Sequence, residues 1–228
     1  MATILNIETS TEVCSIAISK NGKLLFMKET QEGLNHSEFL TVFIEEACSE
    51  NNFELNQLDA VAVSKGPGSY TGLRIGVSVA KGLCYGLEIP LVAANSLEIM
   101  GIYAALNSED NMFFSPMIDA RRMEVYTALY DQNGKEIIPV SAEIIEENFL
   151  SDYLSGNKIL FFGNGAEKCR SKITHTNALF GGPDKTSAQF MQRLTEKKYN
   201  DKQFEDVAYF EPFYLKDFVA TIPKNKIL

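Results

Sequence analysis

The chain opens with TILNIETSTEVCSIAISKNGKLLFM, residues 3–27, and this stretch decides the fold. Thr3–Ile7, Val13–Ser19 and Lys23–Met27 are rich in Ile, Val and Leu, which favours β-strands. Thr9–Glu12 supplies a polar turn between the first two segments, and Asn21-Gly22 is a tight-turn signal before the third. The sequence therefore predicts three antiparallel strands at the start of the chain.

Helical and strand-like segments alternate after these strands. One helical face is predicted from the spacing of Phe39, Leu40, Phe43, Ile44, Ala47 and Cys48. The segments that follow are predicted as strand Ala60–Ser64, helix Tyr70–Tyr85, strand Leu91–Ala94 and helix Ser96–Leu106. This order of elements is typical of a mixed α/β sheet.

The strand pattern returns in the second half of the chain. Phe113–Ile118 and Val125–Tyr130 are strand-like, and Asn133-Gly134-Lys135 repeats Asn21-Gly22-Lys23 at a separation of 112 residues. Two interpretations stay open: two unrelated hairpins with common turn chemistry, or a duplicated ribonuclease-H-like unit, as in the actin-like (ASKHA) α/β architecture. In that architecture the first hairpin of each half faces a nucleotide phosphate.

The duplicated interpretation divides the chain near Asn107–Asn111. It gives an N-terminal actin-like subdomain, 1–108, and a smaller C-terminal one, 109–228. Farther along, Ile159–Phe162 is predicted as a strand, Ser187–Lys198 as a helix and the tail Thr221–Leu228 as mobile.

The charge of the chain is acidic and uneven. The formal net charge is −9, and residues 1–120 hold 6 Lys and Arg against 15 Asp and Glu. A surface of that sign disfavours contact with phosphate backbones or anionic membranes, so the first half is a poor candidate for docking nucleic acid. Four widely spaced cysteines, two histidines and no visible secretory signal or membrane span predict a cytoplasmic protein without a histidine-rich metal site.

The segment GPGSYTGLRIG, Gly66–Gly76, follows a predicted strand and opens a predicted helix, a place that favours an anion. A P-loop needs Gly-Lys-Ser/Thr, but Leu73-Arg74 follow Gly72 here. A dinucleotide fingerprint needs a third glycine where Thr71 stands. Both nucleotide motifs fail, and glycines that allow a helix to pack closely are the simpler explanation.

Three polar segments are further candidates. Glu8-Thr9-Ser10 could hold a phosphate in the first hairpin, although Thr and Ser commonly cap turns. Asn35-His36-Ser37-Glu38 is better explained as a helix start than as a catalytic site, because no nucleophile can be located for a lone histidine. Asp119–Glu124 (DARRME) crosses a turn with mixed charge, and solvated ion pairs are expected there rather than a nucleic-acid patch.

At this point the residues resemble a known family. Seven segments are similar to the TsaB family, also called YeaZ: ILNIETS (4–10), HSE (36–38), GPGSYTGLRIG (66–76), VAKG (79–82), IDARRMEVY (118–126), GNGA (163–166) and EPFYL (211–215). The match runs over nearly the whole chain in the expected order. The resemblance implies a duplicated actin-like fold and a non-catalytic role in bacterial synthesis of threonylcarbamoyladenosine, a modification beside the tRNA anticodon.

The catalytic relative, TsaD, offers a comparison residue by residue. There the matching stretch reads Asn-His-Met-Glu-Gly-His, and its two histidines hold the metal. Here the stretch is Asn95-Ser96-Leu97-Glu98-Ile99-Met100, so Ser96 and Met100 replace both ligands. A hydroxyl and a thioether substitute poorly for imidazole, and we expect no catalytic residue and no bound metal. Because the chain is shorter than the catalytic relatives, a reduced second half is expected.

The resemblance also implies a partner surface on the helices after His36 and Gly68. The residues that match the family's motifs there are His36, Ser37, Glu38, Gly66, Pro67, Gly68, Ser69, Tyr70, Thr71, Gly72, Arg74, Gly76 and Lys81. Glycines would permit close helix approach, and Arg74 and Lys81 could pair with acids on the partner. Glu8, Thr9 and Ser10 would be a vestigial phosphate hairpin.

The implied partners are TsaD, the ATPase TsaE and a second copy of the chain when TsaD is absent. The tRNA would be contacted only indirectly, and ATP and metal are expected on TsaD and TsaE. Two rivals stay open at this stage: an actin-like ATPase or kinase, and an inactive homologue of glycoprotease (M22-like) peptidases.

Overall fold

The computed structural model describes residues 2–30 and 35–216, and its first half is built on one five-stranded sheet. The strands are β1 (Thr3–Glu8), β2 (Cys14–Lys20), β3 (Lys23–Thr30), β4 (Ala60–Ser64) and β5 (Leu91–Ala94), in the order β3-β2-β1-β4-β5. The pairs β1–β2 and β2–β3 are antiparallel, whereas β4 pairs in parallel with β1 and β5. The three predicted antiparallel strands are confirmed, with β3 three residues longer than predicted.

Three helices follow these strands. They are α1 (His36–Glu50), α2 (Tyr70–Leu87) and α3 (Ser96–Leu106). Leu40, Ile44 and Ala47 of α1 are buried against the sheet, as the helical spacing predicts. At the start of α3, Asn95 Oδ1 accepts from the Leu97 N–H and Glu98 Oε2 accepts from the Asn95 N–H, so the helix begins with a capping box.

The second half repeats the topology of the first. Its strands are β6 (Phe113–Asp119), β7 (Glu124–Tyr130), β8 (Glu136–Ile144), β9 (Ile159–Phe162) and β10 (Ala178–Phe180), in the order β10-β9-β6-β7-β8. The strand directions also match, because β6–β7 and β7–β8 are antiparallel whereas β9 pairs in parallel with β6 and β10. The duplicated actin-like fold is therefore confirmed, and the interpretation as two unrelated hairpins is wrong.

The second half is reduced in its helices. The 15-residue α1 corresponds to the 4-residue α4 (Ser151–Leu154), and the 18-residue α2 corresponds to a single 3₁₀ turn, Glu167–Cys169. The last helix is α5 (Gln192–Asn200), preceded by a 3₁₀ turn at Ala188–Phe190. The single helix predicted at Ser187–Lys198 is thus interrupted, and it ends two residues later.

The two halves exchange their last helices. Leu97, Met100 and Ala104 of α3 pack with Phe114 and Phe162 of the second sheet, whereas Met191 and Leu194 lie among buried residues of the first sheet. The chain crosses to the second sheet after β5, because α3 already packs there, whereas the boundary is predicted near Asn107–Asn111. The division into residues 1–108 and 109–228 stays a proposal, and α5 departs from it because α5 packs on the first sheet. The predicted mobile tail, Thr221–Leu228, lies outside the described residues.

Lobe 1 is the first sheet with α1, α2 and α5, and lobe 2 is the second sheet with α3 and α4. Within residues 2–30 and 35–216, no helix is both long and apolar enough to cross a membrane.

Candidate partner-binding face and interlobe cleft

The glycine-rich segment joins β4 to α2 and packs on the turn between β1 and β2. A Cβ on Gly68 would clash with the carbonyl oxygen of Ser10, and one on Gly72 with that of Thr9. Gly76, one turn farther along α2, lies against the Thr9 hydroxyl in the same way. The absence of side chains here lets α2 approach the hairpin backbone closely.

This packing corrects part of the predicted interface. Gly66, Pro67, Gly72 and Gly76 are buried within the chain, so they support α2 from below and do not lie on a partner-facing surface. Gly68, Ser69 and Tyr70 are half-buried, and Thr71 and Arg74 are exposed. Ser69 is the N-cap of α2, and its Oγ accepts from the Gly72 N–H at 3.3 Å.

The predicted phosphate hairpin is occupied by the chain itself. The Thr9 hydroxyl donates to the Gly72 carbonyl at 2.8 Å, and the Ser10 carbonyl accepts from the Ser69 N–H at 2.6 Å. The Ser10 N–H donates to Glu8 Oε1, also at 2.6 Å. The Thr9 hydroxyl and the backbone of Ser10 are therefore bonded within the chain, and Glu8, Thr9 and Ser10 stay a predicted vestigial phosphate hairpin.

Glu8 is fully buried below this hairpin, and its Oε2 makes no hydrogen bond to a described residue. Burial raises the pKa of the Glu8 carboxyl because the charged form loses its hydration, and the hydrogen bond from Ser10 opposes this shift only in part. Burial, followed by the nearby Glu8, raises the pKa of the Cys14 thiol to about 11. These groups form a buried polar cluster beneath the first turn of α2.

The start of α1 divides the predicted His36-Ser37-Glu38 motif between interior and surface. His36 is buried, with Nε2 3.2 Å from the Val13 carbonyl oxygen, so it joins α1 to the hairpin. Ser37 and Glu38 are exposed. The N-cap residue is Asn35, and its carbonyl, not its side chain, accepts from the Glu38 N–H.

An apolar groove runs between α1 and α2. It has a volume of about 670 Å³. Its apolar lining comes from Ile44, Phe53, Leu55, Val79 and Leu83, and Cys48 and the carboxylates Glu45 and Glu54 also line it. On the same two helices, Val42 of α1 is 43% exposed and Tyr85 of α2 is 83% exposed. We call this groove with the exposed residues of α1 and α2 the α1–α2 face.

Sequence reasoning missed the role of residues 205–216, which we call the C-terminal strap. The strap pairs with β5 through Leu91 and Glu205, crosses α2 and reaches lobe 2, where Lys216 forms an ion pair with Glu124. Its residues show no helical or strand period, and only the EPFYL match to the family marks them.

Lys81 and Arg74 hold the strap on α2. Lys81 Nζ donates to the carbonyls of Ala208 and Phe210 at 3.2 and 2.9 Å. Arg74 donates to the Tyr214 hydroxyl at 3.2 Å and lies 4.2 Å from the centre of the Tyr70 ring. Both cations are therefore bonded within the chain, and their pairing with a partner's acids stays a prediction.

The positions where TsaD would place its metal ligands have structural roles here. The Ser96 hydroxyl lies 2.8 Å from that of Ser64, and Met100 is buried in the core under lobe 2. Among residues 2–30 and 35–216, no group of three or more His, Cys, Asp or Glu side chains is arranged to hold a metal ion.

A second cavity, of about 980 Å³, lies between the lobes. The hairpin and the start of α2 line one wall, and Ile118–Arg122 of the β6–β7 turn line the other, with Tyr126 and the strap residues Phe213–Lys216. Across it, Asn164 Nδ2 donates to Glu12 Oε2 at 3.2 Å. We call this cavity the interlobe cleft.

The β6–β7 turn is strained. Arg121 and Arg122 have φ of 72° and 51°, and each non-glycine residue in this left-handed region costs about 1–2 kcal/mol. Lys168 keeps the turn in place, because its Nζ bonds the Asp119 carboxylate and the carbonyls of Arg122 and Glu124. The ion pairs expected for this turn are formed by Asp119 and Glu124 with lysines, and not by the two arginines.

Known proteins share this architecture. A family model described as TsaD: tRNA N6-adenosine threonylcarbamoyltransferase matches residues 30–224. The tRNA threonylcarbamoyladenosine biosynthesis protein TsaB of Haemophilus influenzae is 30% identical over 96% of this chain and 95% of its own, and that of Bacillus subtilis is 32% identical over 94% of each. A solved structure, YeaZ from Pseudomonas aeruginosa, has a TM-score of 0.77 at 23% identity and covers 94% of this chain and 100% of its own.

The duplicated fold and the match to the family model place the chain in the TsaD class of actin-like proteins. The identity to the two TsaB proteins holds over nearly the full length of each. The chain belongs to the TsaB (YeaZ) family.

Proposed function

We propose that this protein is the non-catalytic subunit that binds TsaD and activates it for threonylcarbamoyl transfer to the adenosine next to the tRNA anticodon. The family relation assigns the chain to threonylcarbamoyladenosine biosynthesis alongside TsaD. The observation that carries the scaffold role is the open apolar groove on the α1–α2 face. A second copy of the chain covers the same face when TsaD is absent.

The groove supports a protein partner by its composition. Its apolar residues stay in contact with water in the isolated chain, and covering them would remove apolar area from water at about 25 cal/mol per Å². Glu45 and Glu54 give its lining negative charge and select a partner with basic flanks. We propose Ser37, Glu38, Thr71 and the exposed residues of α1 and α2 as the interface.

The chemistry is assigned to the partners. The Ser96 hydroxyl pairs with that of Ser64, and Met100 packs in the core. The start of α2 occupies the first hairpin, where the Thr9 hydroxyl donates to the Gly72 carbonyl. ATP and metal therefore belong to TsaD and TsaE, and TsaD supplies most of the contact with tRNA in the cytoplasm. The occupied hairpin gives no support to the rival hypothesis of an actin-like ATPase or kinase.

The interface is tested by calorimetry with TsaD. Leu83→Glu places a charge in the groove, and Val42→Glu places one on the exposed part of α1. Each should weaken binding roughly 30-fold or more, the effect of losing a hot-spot residue worth about 2 kcal/mol. Ile144→Glu is the matched control, because Ile144 is 68% exposed on β8 of lobe 2.

Two results would contradict the proposal. The interface is wrong if both groove variants fold and still bind TsaD as the wild type does. The non-catalytic role is wrong if the isolated chain binds stoichiometric metal and transfers the threonylcarbamoyl group without TsaD.

A further inference from the structure

We propose that Arg121 and Arg122 bind the phosphate backbone of the RNA substrate at the mouth of the interlobe cleft. This inference rests on the proposed function, since it assumes a complex that handles tRNA. It adds one direct contact, on lobe 2, to a role in which TsaD supplies most of the RNA surface.

The first support is that both guanidinium groups are free. They are exposed, and neither forms an ion pair or a side-chain hydrogen bond with a described residue. Three carboxylates line the same cleft, those of Glu12, Asp119 and Glu124. Lys168 pairs with Asp119 and Lys216 with Glu124, so two of the three negative charges are already compensated. The two arginines therefore give the mouth of the cleft a net positive charge.

The second support is the backbone of the turn. Two consecutive arginines with φ of 72° and 51° are held in a conformation that glycine would adopt without strain. The three Lys168 bonds keep this turn in one conformation. Such strain is typical of functional sites, where the position of a side chain matters more than stability.

The third support is the presence of aromatic rings in the same cleft as the two arginines. Tyr70, Tyr126, Phe213 and Tyr214 line the same cleft. Arginines beside aromatic rings are typical of sites for unpaired nucleotides, where bases stack and guanidinium groups contact phosphates. Aromatic rings beside arginines suit unpaired RNA bases better than they suit an acidic protein surface, so the observations favour RNA. A cleft of about 980 Å³ is large enough for a nucleotide.

The test measures binding of labelled tRNA to the purified complex of this chain with TsaD by fluorescence anisotropy, over a series of KCl concentrations. Arg121→Gln/Arg122→Gln removes both charges, and Arg193→Gln/Lys197→Gln removes two exposed charges from α5 as a matched control. Each lost phosphate contact should lower the salt slope by about 0.7, hence about 1.4 for the pair and roughly 25-fold in affinity at 0.1 M salt. Arg121→Lys/Arg122→Lys, which keeps the charge, should retain the slope.

Other outcomes overturn the proposal. An unchanged slope in the folded Gln pair shows that the arginines do not contact RNA. Loss of TsaD binding in the Gln pair shows that they contact protein. Binding of ATP or inorganic pyrophosphate by the isolated wild-type chain, lost in the Gln pair, shows a free-nucleotide site. The proposed function fails separately, through the groove variants Val42→Glu and Leu83→Glu.

Discussion

Two identical substitutions in α2 should have opposite effects on stability. Gly72 lies against the carbonyl oxygen of Thr9, whereas an added Cβ at Gly82 would meet no atom within 4 Å. Both residues are inside the same helix, so Gly→Ala gains the same helix propensity, about 1 kcal/mol, at each position. Only the tertiary contact differs between them.

The magnitude follows from these two terms. Gly82→Ala should stabilise the protein by about 0.5–1 kcal/mol, since nothing opposes the gain in propensity. At Gly72 the obstacle is backbone and cannot rotate away, and overpacking of this kind costs about 1–3 kcal/mol or more. The net effect of Gly72→Ala is therefore a loss of up to about 2 kcal/mol, against a gain of about 0.5–1 kcal/mol at Gly82.

The assay is urea unfolding followed by far-UV circular dichroism, with thermal unfolding as a second measurement. For a chain of this size, 1 kcal/mol shifts Tm by about 2–4 °C. Gly72→Ala should lower Tm by several degrees and Gly82→Ala should raise it by about 1–4 °C. If the two variants shift Tm in the same direction, the close packing of α2 on the first hairpin is refuted.

Three further predictions concern the buried acid, the strap and the strained turn. Because the pKa of the Glu8 carboxyl is raised, Glu8 contributes to stability below the ordinary glutamate pKa, and this contribution is lost as pH rises through the raised value. Glu8→Gln should therefore flatten the alkaline side of a plot of unfolding free energy against pH. Identical profiles for the variant and the wild type would contradict this. Lys81→Met removes two hydrogen bonds of about 1 kcal/mol each, so amide hydrogen exchange in the strap, measured by mass spectrometry, should be roughly 30-fold faster. Unchanged exchange would show that Lys81 does not hold the strap. Arg122→Gly relieves the left-handed strain and should raise the unfolding free energy by about 1 kcal/mol in urea, and a loss of stability would refute the assignment of strain.

Much of the fold could be predicted from local patterns. β4, β5, α3 and β9 have the predicted bounds, because short apolar runs and helical spacing are fixed by residues close together in the chain. The repeated Asn-Gly-Lys turn revealed the duplication for the same reason, since a turn needs particular residues at fixed positions.

The exchange of α3 and α5 could not be read from the sequence. The apolar residues of α3 surround the helix, because one side packs on the second sheet and another lies against the 3₁₀ turn before α5, where Tyr103 stacks on Phe190. A helix that is apolar on all sides is recognised as buried, but its sequence does not say which sheet covers it.

The candidate site shows the same division. The sequence determined that Gly66–Gly76 is a specific segment at the start of a helix and that the acidic excess lies in residues 1–120, and the resemblance to TsaD implied that Ser96 and Met100 replace metal ligands. Only the tertiary structure decided that Gly72 faces the chain's own hairpin, that Arg74 and Lys81 hold the strap, and that the side chains of Arg121 and Arg122 are bonded to no described residue. The physical reason is distance along the chain: Lys81 and Phe210 are 129 residues apart, and no local pattern encodes a contact of that separation.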